Sequence, residues 1–163
     1  FIGTWSPHKE EYLSFLITEL PELNLKIWGG GWHNADKTLA PYIQGIAVMG
    51  DLYAIAIQCS KINIALLSEQ VVGASSGDLI TSRTFHIPAS GGFMLHQDSK
   101  EIKNYFEQDE EVILFDSKEH FAKQVKKYLD LDAERNRISM NGYTRAQSEH
   151  SLDARAKLLI DLV

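Results

Sequence analysis

The stretch Thr81-Ser82-Arg83-Thr84-Phe85-His86-Ile87-Pro88-Ala89-Ser90-Gly91-Gly92 gathers hydroxyls, a guanidinium and an imidazole at the start of a predicted helix. Free backbone N–H groups and the positive end of the helix dipole make such a terminus attractive to phosphate. Thr81, Ser82 and Thr84 add hydroxyl donors, and Arg83 adds a fixed charge able to grip two phosphate oxygens at once. His86, three residues beyond Arg83, shares its side of the helix. The pattern suits a phosphate-bearing ligand, and equally a capped surface helix whose arginine is solvated.

Two further places are candidates. Gly29-Gly30-Gly31 follows the strand signal Leu25-Lys26-Ile27-Trp28 directly. Glycine there permits positive φ and close backbone approach, so Gly29 and Gly30 are either ligand contacts or a tight turn without one. The run lacks the G-x-G-x-x-G spacing, and no helix opens directly behind it. Lys9, near the start of the first predicted helix, either neutralises a diphosphate from the far side of a crevice or faces solvent. Its neighbour His8 has a weaker case. Trp28 reads as core, and Trp32, just after the glycine turn, as a candidate crevice residue. The acidic run Glu107 to Glu111 reads as a solvated turn. The six histidines and one cysteine show no metal-ligand spacing, so no metal is expected. There is no P-loop and no G-x-S-x-G elbow.

The elements that must position these residues alternate. Phe1-Ile2-Gly3 reads as a strand end, followed by Ser6 as N-cap and Pro7 at the first helical position. Leu13, Leu16, Ile17 and Leu20 then repeat at helical spacing. After the Leu25–Trp28 strand and a polar loop, Asp51 is expected to cap a helix with Leu52, Ile55, Ala56 and Cys59 on one face. Ile62–Leu67 is a central strand, and a Gly/Ser/Thr-rich loop, 73–82, leads to the Arg83 helix. Phe93–Leu95 is the next strand, followed by a short helix near Glu101–Phe106 and the strand Val112–Phe115. Asp116 with Glu119 resembles a capping box for a helix burying Phe121, Val125, Tyr128 and Leu129. Two last helices break near His150-Ser151, with Leu152, Ala156, Leu159 and Val163 on one face. Strands separated by helices imply a Rossmann-like parallel sheet flanked by helices. Such sheets bind ligands beyond their carboxyl ends, which points to the windows Gly3–Lys9, Gly29–Asn34, Ser68–Thr84 and His96–Ser99.

The 163 residues suit a single domain, 1–163, and 44% apolar with 23% charged content supports a packed core rather than disorder. A net charge of −6 disfavours a general nucleic-acid surface, which needs clustered Lys and Arg. The apolar runs Ile62–Leu67 and Val112–Phe115 are too short to span a bilayer. The N-terminus carries no leader pattern and reads as an interior strand, as if a larger protein had been cut. Cys59 reads as a buried small hydrophobe, and a reducing, cytoplasmic setting is expected.

With these residues in place, the chain resembles the CgeB-like (spore maturation) glycosyltransferases. The likeness runs through Phe1-Ile2-Gly3, Trp28-Gly29-Gly30-Gly31-Trp32, Gly50-Asp51-Leu52-Tyr53, Ser60-Lys61-Ile62-Asn63 and, most specifically, Arg83-Thr84-Phe85-x-Ile87-Pro88-Ala89-x-Gly91. Arg135, Gly142-Tyr143, Arg145, His150 and Arg155 extend it to the tail. The resemblance implies the C-terminal half of a GT-B glycosyltransferase that binds a nucleotide-diphosphate-sugar donor without a required metal. It also implies a partner N-terminal domain that supplies most acceptor contacts. On that reading Lys9, Gly29, Gly30, Thr81, Ser82, Arg83 and Thr84 serve the diphosphate or sugar, and His86 the ribose. The family usually has glutamate where this chain has His86. Histidine can hydrogen-bond but offers no bidentate carboxylate, so a non-catalytic interaction module that has lost its donor is the alternative. Turnover by this fragment alone is not expected, and no catalytic base is assigned. A flavodoxin-like regulatory domain fits less well, because the acidic cluster expected beside a phospho-acceptor aspartate is missing.

Overall fold

The structure, a computed structural model, describes residues 1–68 and 78–161. In chain order its elements are α1 (Pro7–Glu19), α2 (Asp51–Gln58), β1 (Asn63–Ala65), α3 (Ser82–Ala89), β2 (Met94–Gln97), β3 (Ile113–Phe115), α4 (Lys118–Leu129), α5 (Asp132–Glu149) and α6 (Leu152–Asp161). Short 3₁₀ turns occupy Trp32–Asn34, Lys37–Tyr42 and Ile102–Asn104.

β1, β2 and β3 form a parallel sheet in that order, with Ile64 opposite Leu95 and His96 opposite Leu114. Beside it, parallel bridges join Ile2 to Trp28 and Ile27 to Ile43. The two ladders meet at a narrow cleft of about 10 Å³ lined by Phe1, Ile2, Asn63 and Ile64. From that seam the early segments run outward on one side and the later strands on the other. The strand order therefore reverses there, as in a doubly wound sheet. Sequence periodicity found the first two segments of the early ladder but not the third at Ile43. It contributes one bridged residue, too short for a period-2 signal.

Successive strand residues face opposite sides, and both sides are covered. Ile64, Leu95, Ile113 and Phe115 pack with Leu13 and Leu16 of α1 and Phe121 and Val125 of α4. Ala65, Met94 and Leu114 pack with Ile57 of α2, Ile87 of α3 and Ala146 of α5. Burial on both faces explains the continuous apolar runs that replace alternation in these strands. No described helix is long and apolar enough to cross a membrane.

Three local expectations are corrected. In α2 the N-cap is Gly50, with Asp51 the first helical residue, and the buried residue is Ile57 rather than the Leu52–Ile55–Cys59 stripe. Leu52 and Ile55 are 61% and 51% exposed and Cys59 is exposed, because α2 packs on the sheet with its Tyr53–Ile57 side. In α4 the cap is Ser117, whose hydroxyl accepts from the His120 N–H at 3.2 Å, while Asp116 instead holds His120 Nδ1 at 3.0 Å. The acidic turn is not simply solvated: Glu110 pairs with Arg137 and Glu111 with Arg145. Residues 73–77 of the Gly/Ser/Thr-rich loop, and Val163, lie outside the described residues.

Candidate functional site at the strand-order reversal

Ser6 and Pro7 start α1 immediately after the first ladder segment, with Ser6 Oγ accepting from the Lys9 N–H. That start turns Lys9 inward. It is 2% exposed, and its Nζ donates to the Thr4 carbonyl at 2.9 Å and to Ser68 Oγ at 3.0 Å. A solvent-facing lysine is thereby excluded. Burial, and then the charge of Arg83, push its pKa down to about 8 against the opposing pull of Asp78. Near pH 7 it remains mainly a cation, at a desolvation cost.

Arg83 approaches the same seam from α3. Its Nη2 donates to the Leu66 carbonyl at 2.6 Å, and its guanidinium carbon lies 5.5 Å from the centre of the Phe1 ring. A Cβ on Gly3 would sit 2.7 Å from Arg83 Nη1, so a side chain there would displace the guanidinium. Arg83 thus bridges the two ladders, and its Nε is buried without a hydrogen-bond partner. Burial lowers its pKa, partly countered by Tyr53 and Asp78. Asp78 accepts from the Ser68 N–H at 3.1 Å. Two cations and one carboxylate therefore share the seam, and an incoming anion would relieve the repulsion between Lys9 and Arg83.

The other expected site residues divide. The Thr81 hydroxyl is buried and unpartnered, and Ser82 is exposed. Thr84 is turned away from any crevice. It is fully buried, its Oγ1 accepts from the Thr81 N–H at 3.1 Å, and it bonds His96 Nε2 at 2.8 Å. His86 is exposed and meets Tyr53 edge-on at 5.8 Å. Gly29 (φ 136°) closely approaches protein backbone, since a Cβ would collide with the Gly3 carbonyl. Gly30 has open space around its Cα. Gly29 to Gly31 line an open cavity of about 580 Å³ with His33, Lys37 and Gly45. Trp32 also lines this cavity, although it is only 2% exposed and donates from Nε1 to the Gly3 carbonyl at 2.8 Å, whereas Trp28, expected in the core, is half-buried.

Ser68, Asp78, Tyr53, His96 and Gln97 belong to this neighbourhood, yet no motif marked them. Four of them lie in the windows that follow strands, where doubly wound sheets bind ligands. Their pairings span up to 89 positions, as between His8 Nε2 and Gln97 Oε1 at 3.0 Å, which no local pattern encodes. Among the described residues no group of three or more His, Cys, Asp or Glu is placed to hold a metal ion.

Solved structures share this architecture. Sucrose-phosphate synthase from Thermosynechococcus elongatus superposes with a TM-score of 0.74 at 13% identity, covering 95% of this chain and 41% of its own. TarM superposes with a TM-score of 0.71 at 11% identity, covering 99% of this chain and 34% of its own. The chain therefore spans less than half the length of these neighbours, and both have the GT-B glycosyltransferase fold. No curated protein matches in sequence. Residues 9–161 match the family described as glycosyl transferase-like, and the chain belongs to that family.

Proposed function

We propose that this chain is the donor-binding half of a GT-B glycosyltransferase of CgeB-like type, and that its seam holds the diphosphate of a nucleotide sugar. The observation that carries this reading is the convergence of Lys9 and Arg83, from separate helices, at the point where strand order reverses. The diphosphate would exchange the Thr4, Ser68 and Leu66 contacts of the two cations for its own oxygens. The unpartnered Thr81 hydroxyl, exposed Ser82 and the first N–H groups of α3 complete the cradle. Gly30, beside the open cavity, leaves room for the rest of the donor, and His86 with Tyr53 would contact the ribose.

In glycosyl transfer the bond from the anomeric carbon to the diphosphate oxygen breaks as the acceptor oxygen attacks. Lys9, Arg83 and the α3 terminus would stabilise the negative charge left on the diphosphate, without calling on a metal. Most contacts to the acceptor, and in an inverting reaction the general base, would come from a second domain of the whole protein.

Thermal unfolding with a panel of nucleoside-diphosphate sugars tests the assignment. A donor present at about 100 times its Kd should stabilise the fold by about 2.7 kcal/mol. The internal engagement of both cations favours one alternative, a non-catalytic interaction module. No stabilisation of a folded sample by any member of the panel would select it.

A further inference from the structure

At the carboxyl end of β2, His96 is fully buried. Its Nδ1 lies 2.5 Å from the carbonyl oxygen of Gln97. A carbonyl can only accept, so Nδ1 carries the proton. Nε2, 2.8 Å from Thr84 Oγ1, must then accept, and the Thr84 hydroxyl donates. The same hydroxyl accepts from the Thr81 N–H at 3.1 Å. The bonds therefore run in one direction, from the Thr81 N–H through Thr84 and His96 to the Gln97 carbonyl, with every group used. Burial pushes the His96 pKa down to about 4, so the neutral tautomer persists at neutral pH. Opening such a chain would strand buried polar groups, which ties the first turn of α3 to the sheet. Gln97 braces the other side: its Oε1 accepts from the Leu67 N–H at 3.1 Å and from His8 Nε2 at 3.0 Å.

We propose that His96 is a positioning residue of the donor site, which as a single Nδ1–H tautomer fixes Thr84, hence the first turn of α3, and so aims Arg83 at the diphosphate. The role rests on reading the seam as that diphosphate site. His96 itself touches no ligand, and the Thr84 hydroxyl acts inside the protein rather than on phosphate.

The test compares Thr84→Val, which removes the hydroxyl, with Thr84→Ser, which keeps it. UDP, GDP and ADP are titrated calorimetrically, and ¹⁵N NMR reads the His96 tautomer in the wild-type chain at pH 7. The nucleotide that binds the wild type should bind Thr84→Val about 10-fold more weakly, while Thr84→Ser stays within about 2-fold. His96 should be the Nδ1–H tautomer with and without nucleotide. Wild-type affinity in Thr84→Val overturns the positioning role and leaves the donor site standing. An Nε2–H tautomer or an imidazolium at pH 7 overturns it even if Thr84→Val does not fold. Failure of the folded wild type to bind any of the three overturns the donor-site reading, and this role with it.

Discussion

α2 and α3 are neighbouring helices of eight residues each, yet the fold uses them differently. α2 starts from Gly50 without a side-chain cap, buries Ile57, and leaves Leu52 and Ile55 in solvent. α3 buries Thr84, Ile87 and Pro88 and has its first turn bonded to the sheet through His96. Apolar spacing locates a helix, but which face is buried depends on what lies beside it. What separates α3 from its neighbour is paired buried polar chemistry rather than greasiness.

Core truncation should give the largest contrast. Ile87→Ala in α3 is expected to lose about 2–5 kcal/mol, measured by denaturant unfolding, because a fully packed side chain leaves a cavity. Leu52→Ala in α2 should stay within about 0.5 kcal/mol. Equal losses would dissolve the distinction.

Acid should act through α3. The folded pKa of His96 is lowered from 6.5 to about 4, so between those values the unfolded chain binds a proton that the folded chain refuses. Stability should therefore fall as pH drops from about 6.5 toward 4, by up to about 3 kcal/mol. Comparing unfolding at pH 7 and 4.5 in His96→Gln, where that dependence should shrink, checks the assignment.

Beyond the Tyr53–His86 contact, the two helices also meet around Gly92. A Cβ on Gly92 would meet Ile57 of α2, Ile87 of α3 and, at 2.7 Å, Asn63 Nδ2. Gly92→Ala should cost about 1–3 kcal/mol by overpacking, while a neutral result would mean the junction is looser than described.

The smallest effect is a slope in binding. Because the free Lys9 pKa is about 8, affinity for a diphosphate should decline as pH rises through 8, by at most about tenfold per unit. Lys9→Met should bind weakly and without that slope. In the unliganded chain the sign is opposite. Between about 8 and 10.5 the unfolded state holds the proton, so Lys9 favours folding more as pH rises.

Much of this was legible in the sequence. The Ser6-Pro7 start, the α3 segment and the break at His150-Ser151 follow from local cap and spacing rules, and the structure has them. Cys59 and the outer stripe of α2 were misread because periodicity does not say which side of a short helix meets the sheet. Lys9 illustrates the same limit at the site. Its partner Ser68 lies 59 residues away, so only the fold distinguishes a buried cation from a solvated one. Thr84 had the right position for a phosphate donor, yet a histidine 12 residues later claims its hydroxyl.

The seam itself is tested most directly by calorimetric titration of UDP, GDP and ADP into the wild-type chain and Arg83→Ala. At least one nucleotide should bind the wild type and lose about 10- to 100-fold in affinity without the guanidinium. Undiminished affinity in a folded Arg83→Ala chain would contradict the account, because the arginine that joins the two ladders would then have no part in holding the diphosphate.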